Sequence, residues 1–187
     1  MSSNQQVSDY IFYYPQALGE TACDNIVAHY NKDTFKKWKT STFSTTSAIT
    51  GTSKVDMKEF WIMPDMFGYK TIHQGFQSAV NDYTSIHDKI KIQEYTHFRI
   101  NCYETGGFMK EHIDNIHHSH GQKTGYPHLT SLIFLNDDYE GGEFMLCGES
   151  LEKKKGSAVV FPSNFMFPHE VKEVISGNRY SIMTWIL

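Results

Sequence analysis

His112 and Asp114 stand two residues apart in the tripeptide HID. Alternate residues of a strand face the same side, so this imidazole and this carboxylate can reach one metal ion together. In a chain with 10 histidines and 21 acidic residues an HxD also arises by accident, as an ordinary surface pair. The pattern sharpens at His169, in FPHEV at the start of an apolar alternating run, which can bring a third ligand from a strand distant in sequence. Two neutral imidazoles and one carboxylate on one face are the facial triad suited to Fe(II), with the remaining positions open for substrate and oxygen. Zinc also accepts such a set, usually in a closed or water-activating tetrahedral site. Further along, RYSIMTW carries Arg179 and Ser181, again two apart. A guanidinium with a neighbouring hydroxyl matches a carboxylate held in a bidentate grip. The ordinary alternative for an interior arginine is a salt bridge to one of the chain's own acids.

These side chains need elements to position them. Residues 20–35 read as a helix, with Thr21 able to cap and Ile26, Val27 and Tyr30 on one face. A second helix is expected from about Tyr69 to Ile86, where Ile72, Phe76, Val80 and Tyr83 recur at spacings of three and four. From Met57 onward the pattern turns to short alternating apolar runs: KEFWIM, QEYTHFRINCY, HLTSLIFLN, GGEFML, SAVVFP, HEVKEV and NRYSIMTWIL. Most end at Gly, Pro or Asn, as strands do. Many short strands without helical crossovers after Ile86 predict a β-rich α+β fold: a jelly roll with N-terminal helices packed on it.

Taken in order, Tyr103, Gly106, His112, Asp114, EGGEF at 140–144, FPHEV around His169 and RYS at 179–181 resemble the prolyl 4-hydroxylase group of Fe(II)- and 2-oxoglutarate-dependent oxygenases. The resemblance covers about residues 92–187, with a weaker similarity in the leading YIFYYPQAL and the helix after it. It implies a double-stranded β-helix, cupin-like in outline. It makes His112, Asp114 and His169 the iron ligands and Arg179, assisted by Ser181, the anchor of the distal carboxylate of 2-oxoglutarate. Tyr103 corresponds to a tyrosine lining the cosubstrate pocket, with a packed core aromatic as its plain alternative, and Asn101 shares its strand face. Trp185 lies on the face of Arg179 and Ser181 and is either a wall of the site or core.

Two departures stand out. Where some members carry a tyrosine that shares the cosubstrate carboxylate, LTSLIFLN has Phe134, which leaves Thr130 on the same face as the candidate donor. Collagen-modifying members carry Lys where this chain has Arg179, which argues against a collagen-type substrate. The implied reaction is hydroxylation of an unactivated C–H coupled to decarboxylation of 2-oxoglutarate, with O2 as cosubstrate, ascorbate as a stimulant and no catalytic general base. A prolyl residue in a peptide or protein is the leading substrate. Free proline or another small metabolite is the rival within the enzyme class, and a catalytically silent cupin-like binding module the rival outside it.

Length and composition bound the rest. The 187 residues, 40% of them hydrophobic, suffice for a single domain spanning 1–187, with 1–90 as helical support and lid and 91–187 as the catalytic jelly-roll core. A net charge of -4 and the lack of a basic aromatic groove argue against a nucleic-acid partner. Apolar runs of only a few residues exclude a membrane span, and MSSNQQVSDY lacks the regions of a signal peptide. Cys23, Cys102 and Cys147 are odd in number and far apart, so the expectation is a cytoplasmic protein with free thiols. The Ser- and Thr-rich stretch 40–54 reads as a connector or a lid over the site. His117, His118, His120 and His128 in NIHHSHGQKTGYPH (115–128) read as a polar loop at the barrel mouth, and EKKKG (152–156) as a solvated turn.

Overall fold

The computed structural model describes residues 6–32, 37–41, 54–114 and 126–187. Most of the expected lid and most of the histidine-rich segment lie outside these residues. In chain order the elements are a 3-10 turn (Val7–Tyr10), β1 (Phe12–Tyr14), α1 (Glu20–Tyr30), β2 (Lys39–Thr40), β3 (Val55–Asp56), β4 (Lys58–Ile62) and α2 (Tyr69–Ile86). They are followed by β5 (Phe98–Tyr103), β6 (Phe108–His112), β7 (Leu129–Phe134), β8 (Glu140–Gly141), β9 (Phe144–Leu146) and β10 (Glu149–Ser150). Last come β11 (Ala158–Pro162), β12 (His169–Val171), β13 (Val174–Ser176) and β14 (Arg179–Ile186).

The strands form a seven-stranded sheet in the order β1-β11-β7-β14-β5-β4-β2 and a five-stranded sheet in the order β10-β9-β12-β6-β3, with β13 and β8 paired separately. Every pairing between these strands is antiparallel. Strands β1, β3 and β4 come from the first half of the chain and pair with β11, β6 and β5. The helical support is therefore woven into both sheets.

The central strands β5, β7 and β14 are buried at every position. Buried strands with one covered face would alternate; these have two, and the period of two deals their side chains to different layers. Phe98, Ile100, Cys102, Ile133, Tyr180 and Ile182 join a core with Ile26, Tyr30, Ile72 and Phe76 of the helices. Their neighbours Tyr103, Leu132, Phe134, Met183 and Trp185 face the second sheet and pack with Met109, Phe144, Leu146 and Val171.

Helix α2 has the expected bounds and buries Ile72, Phe76, Val80 and Tyr83. Helix α1 stops at Tyr30, short of the expected end, and its N-cap is Gly19, not Thr21. Its end is held by side chains: Trp38 Nε1 donates to the Tyr30 carbonyl at 3.0 Å, and the Tyr30 hydroxyl donates to the Phe67 carbonyl at 2.7 Å. A last-turn carbonyl thus gains the partner that the helix itself cannot supply. The EKKKG turn is more than a solvated corner. Gly156, at φ 80, accepts the Ala17 and Leu18 amides at 2.9 Å each, and a Cβ there would collide with the Leu18 carbonyl. Lys155 pairs with Asp24 of α1 at 2.8 Å. No helix among the described residues is long and apolar enough to cross a membrane.

Candidate metal centre and cosubstrate pocket

Strands β6 and β12 pair so that His112 and His169 stand directly opposite each other. Their rings are 4.3 Å apart. Asp114 follows β6 and turns back under the pair, with its Oδ1 3.7 Å from His112 Nε2 and its Oδ2 3.5 Å from His169 Nε2. One ligand atom from each residue falls within 4.8 Å of the others.

Hydrogen bonds to the far nitrogens orient both imidazoles. His112 Nδ1 lies 2.9 Å from the Lys110 carbonyl and His169 Nδ1 3.1 Å from the Phe167 carbonyl. A carbonyl only accepts, so each Nδ1 carries a proton and each Nε2 is turned to the centre, the orientation that metal-binding histidines need. Burial lowers the His112 pKa to about 4, helped by His169 and opposed by Asp114, which keeps this ring neutral. Burial pushes the Asp114 carboxyl up, but His169, His112 and the Thr130 hydroxyl outweigh it, so the group is held below its ordinary value as a carboxylate. Two imidazoles and one carboxylate, with mutual separations that a single ion can bridge, fit Fe(II).

On the neighbouring stretch of the large sheet, Arg179 is fully buried. Its Nε donates to the Gly142 carbonyl at 3.1 Å and its Nη1 to Ser181 Oγ at 3.0 Å, while the buried Nη2 has the Tyr139 phenol nearby but makes no well-formed hydrogen bond among the described residues. The Tyr103 and Phe134 rings flank the guanidinium, 5.1 and 5.5 Å from its Cζ. A buried cation with one unfilled donor and aromatic walls fits the carboxylate of a small dianion such as 2-oxoglutarate. The double glycine of EGGEF serves this arginine. Gly142 sits at φ 61, and a Cβ on it would come within 3.1 Å of Arg179 Cδ and 3.0 Å of Val174.

The structure brings Asn101, Tyr103, Ser181 and Arg179 onto one face: Arg179 is the cross-strand partner of Tyr103, and Ser181 of Asn101. Thr130 differs from expectation. Its hydroxyl donates to Asp114 Oδ2 at 2.6 Å and bonds to Ser163 Oγ at 2.9 Å, so it supports a metal ligand and has no proton left for the cosubstrate carboxylate. Trp185 is 4% exposed and faces inward near this cluster, 6.3 Å from the Trp61 ring. Sequence reasoning missed Arg99, which lines the metal chamber together with Asn101, His112, Asp114 and His169. The period of two from Asn101 and Tyr103 was the signal that places it there.

Residues 98–187 match the family described as the 2OG-Fe(II) oxygenase superfamily. This stretch, just under half of the chain and carrying His112, Asp114, His169 and Arg179, is similar to that superfamily. Among curated relatives of this chain, a PKHD-type hydroxylase of Psychrobacter is 33% identical over 93 residues, 46% of this chain and 35% of the relative. The matched stretch therefore spans about a third of that relative's length. Two solved structures share the fold: a Pseudomonas putida prolyl-4-hydroxylase, TM-score 0.73 at 15% identity, covering 95% of this chain and 91% of that one, and a Trichoplax adhaerens prolyl hydroxylase solved with a hypoxia-inducible-factor peptide, TM-score 0.72 at 21% identity, covering 96% and 84%. Both agree with the double-stranded β-helix expected from the sequence.

Proposed function

We propose that the chain is an Fe(II)- and 2-oxoglutarate-dependent dioxygenase that hydroxylates an unactivated C–H, with a prolyl residue in a peptide or protein as substrate. The observation that carries this reading is the pairing of the oriented His112, Asp114 and His169 set with a buried Arg179 whose Nη2 is unfilled. A silent binding module has no use for both.

Bound Fe(II) supplies oxygen activation coupled to decarboxylation of 2-oxoglutarate. The protein's part is positioning. His112, Asp114 and His169 hold the ion and leave the rest of its sphere open. Arg179 and Ser181 take the distal carboxylate, and Tyr103 and Asn101 shape the wall beside it. Phe134, Phe144, Met183 and Trp185 keep the chamber apolar and exclude bulk water. The peptide substrate is supported by the Trichoplax neighbour, which was solved with a peptide in complex. The three free thiols, Cys23, Cys102 and Cys147, support a cytoplasmic setting.

The experiment is incubation with Fe(II), 2-oxoglutarate and ascorbate against a panel of proline-containing peptides and free proline. Succinate is quantified and products are read by mass spectrometry for the gain of one oxygen. Substrate-stimulated succinate with an oxidised peptide is the expected result. Oxidation of free proline alone would move the substrate to the small-metabolite class, and no succinate with any addition would leave a binding module.

A further inference from the structure

Arg99 is 6% exposed and stands on the wall of the metal chamber, yet the chain leaves its charge half-answered. Its nearest acid is Glu59, whose Oε2 is 3.6 Å from Arg99 Nη1. That distance is too long for the short charge-assisted bonds of a settled buried ion pair. The unmet groups cluster. Among the described residues, Arg99 Nε, Glu59 Oε2 and Asn101 Oδ1 are all buried without a hydrogen-bond partner. They sit on adjacent strands, since Glu59 is the cross-strand partner of Asn101, and Trp61 of Arg99. Folded interiors rarely strand several polar atoms on one wall, because each then gives up its bonds to water without replacement.

Neither cosubstrate answers this set. 2-Oxoglutarate as its dianion and O2 only accept hydrogen bonds, so neither supplies a proton to the Glu59 carboxylate. The wall calls for a group that both accepts and donates, which ordered water provides in the resting enzyme and a substrate amide, with its C=O and N–H, provides on displacing it.

Access and grip are also present. The Arg99 guanidinium lies beside a pair of indoles, 5.9 Å from the Trp61 ring and 5.4 Å from the Trp185 ring, which are themselves 6.3 Å apart. Cation–π attraction to the two rings holds the guanidinium near them without using up its N–H donors. On the other side of these indoles a groove of about 600 Å³, lined by Trp61, Met63, Tyr95, His97 and Trp185, opens outward. Trp61 is 38% exposed. Trp61 and Trp185 line the groove and Arg99 lines the metal chamber, so their mutual contacts link the two.

We propose that Arg99 anchors the substrate by donating from its guanidinium edge to an acyl oxygen beside the carbon to be oxidised, with Glu59 and Asn101 accepting from a substrate N–H. This rests on the prolyl-substrate reading. The acyl oxygen is a main-chain carbonyl if the substrate is a peptide and a carboxylate if it is a free amino acid. Arg99 thereby fixes which C–H faces the metal, and Arg179 is left to the cosubstrate alone.

The test is calorimetric titration of the protein loaded with Mn(II) and 2-oxoglutarate, without turnover, using two probes: the capped peptide acetyl-Gly-Pro-Gly-amide and free L-proline. Binding of the peptide assigns a carbonyl, and binding of free proline a carboxylate. Arg99→Gln is expected to weaken whichever probe binds by at least about tenfold, the loss of one hydrogen bond to a charged group, while 2-oxoglutarate affinity shifts by less than about twofold. Arg99→Lys, which keeps the charge and much of the stem packing, should retain part of the probe affinity. Equal probe affinity in wild type and Arg99→Gln overturns the anchor and spares the prolyl reading. An equal fall in 2-oxoglutarate affinity reassigns Arg99 to the cosubstrate, and a collapse of the thermal midpoint in both variants makes it structural; each overturns the proposal. If neither probe binds or is oxidised by the wild type, the prolyl reading fails first and the anchor falls with it.

Discussion

Thr130 donates to Asp114 across 2.6 Å and ties the metal-binding carboxylate to the large sheet. Asp114 lies beyond the end of β6, in backbone that no ladder fixes, so this hydroxyl, with the Trp185 side chain as a second partner, sets the direction of its carboxylate. Ser163 braces Thr130 in turn at 2.9 Å. Removing the bond by Thr130→Val should weaken Fe(II) affinity about 10–100-fold, the usual effect of losing a residue that orients a metal ligand. Metal competition with a fluorescent chelator measures it. Unchanged metal affinity would reassign Thr130 to packing.

The paired histidines make a stronger demand. His112→Ala or His169→Ala removes one of three ligands from a face that has no replacement among the described residues. Each variant should lose stoichiometric iron and iron-dependent 2-oxoglutarate turnover, since two ligands hold Fe(II) poorly. Metal content by atomic absorption, together with succinate release, reports both. Full turnover by either variant at ordinary iron demand would undo the ligand assignment.

Arg179 and Ser181 should separate cosubstrate binding from metal binding. Arg179→Ala deletes the buried cation, so the 2-oxoglutarate dissociation constant is expected to rise about hundredfold or more while Mn(II) binding stays near wild type. Ser181→Ala removes only the 3.0 Å brace on Nη1 and should cost about three- to tenfold. An unchanged affinity in Arg179→Ala would move the carboxylate site elsewhere.

Gly156 gives a test of stability away from the chemistry. Its φ of 80 suits glycine, and a side chain there would meet the Leu18 carbonyl. Gly156→Ala should destabilise the fold by more than about 1–3 kcal/mol by forcing the turn off the Ala17 and Leu18 amides. Chemical denaturation shows the loss as an earlier midpoint with little change in slope.

Thiol chemistry should sort the cysteines by burial. Burial raises the Cys23 pKa to about 12 and the Cys102 pKa to about 11, and it raises Cys147 as well, but Cys147 alone is only partly buried. At pH 8 the native protein is expected to give one slowly reacting thiol towards a disulfide reagent, with the other two appearing only on unfolding. Three equivalents reacting at once in the folded state would contradict the burial of Cys23 and Cys102.

Much of this architecture was legible because side-chain periodicity is a strong signal when strands are central. RYSIMTWIL and FRINCY each place alternating residues in two different layers, and their pattern located Arg179, Ser181, Asn101 and Tyr103 together. Helix α2 was legible to the residue for a related reason: its apolar stripe at spacings of three and four faces a single layer. What sequence could not convey was long-range pairing. Thr130 reads as a pocket donor by its strand face, and only the return of the chain after β6 brings Asp114 onto its hydroxyl. Arg99 reads as one more charged residue until Glu59, Trp61 and Trp185 arrive around it from other strands. The end of α1 is set by Trp38 and Phe67, contacts that local propensity does not contain.

The two-layer burial of β5, β7 and β14 also governs how a lineage carrying this fold can drift. Ile100, Ile133 and Ile182 lie on the helix side, while Asn101, Leu132, Phe134 and Ser181, one step along the chain, lie on the other. Point changes in the helix layer can be compensated by partners on α1 and α2, and the chemistry is inherited intact. A single-residue insertion or deletion within one of these strands is different: beyond it, the two sets trade places, sending isoleucine towards the iron ligands and a buried charge into the helix layer. Strand length is thus the trait that purifying selection must guard most closely, and the helix-facing positions are where neutral divergence has room to accumulate.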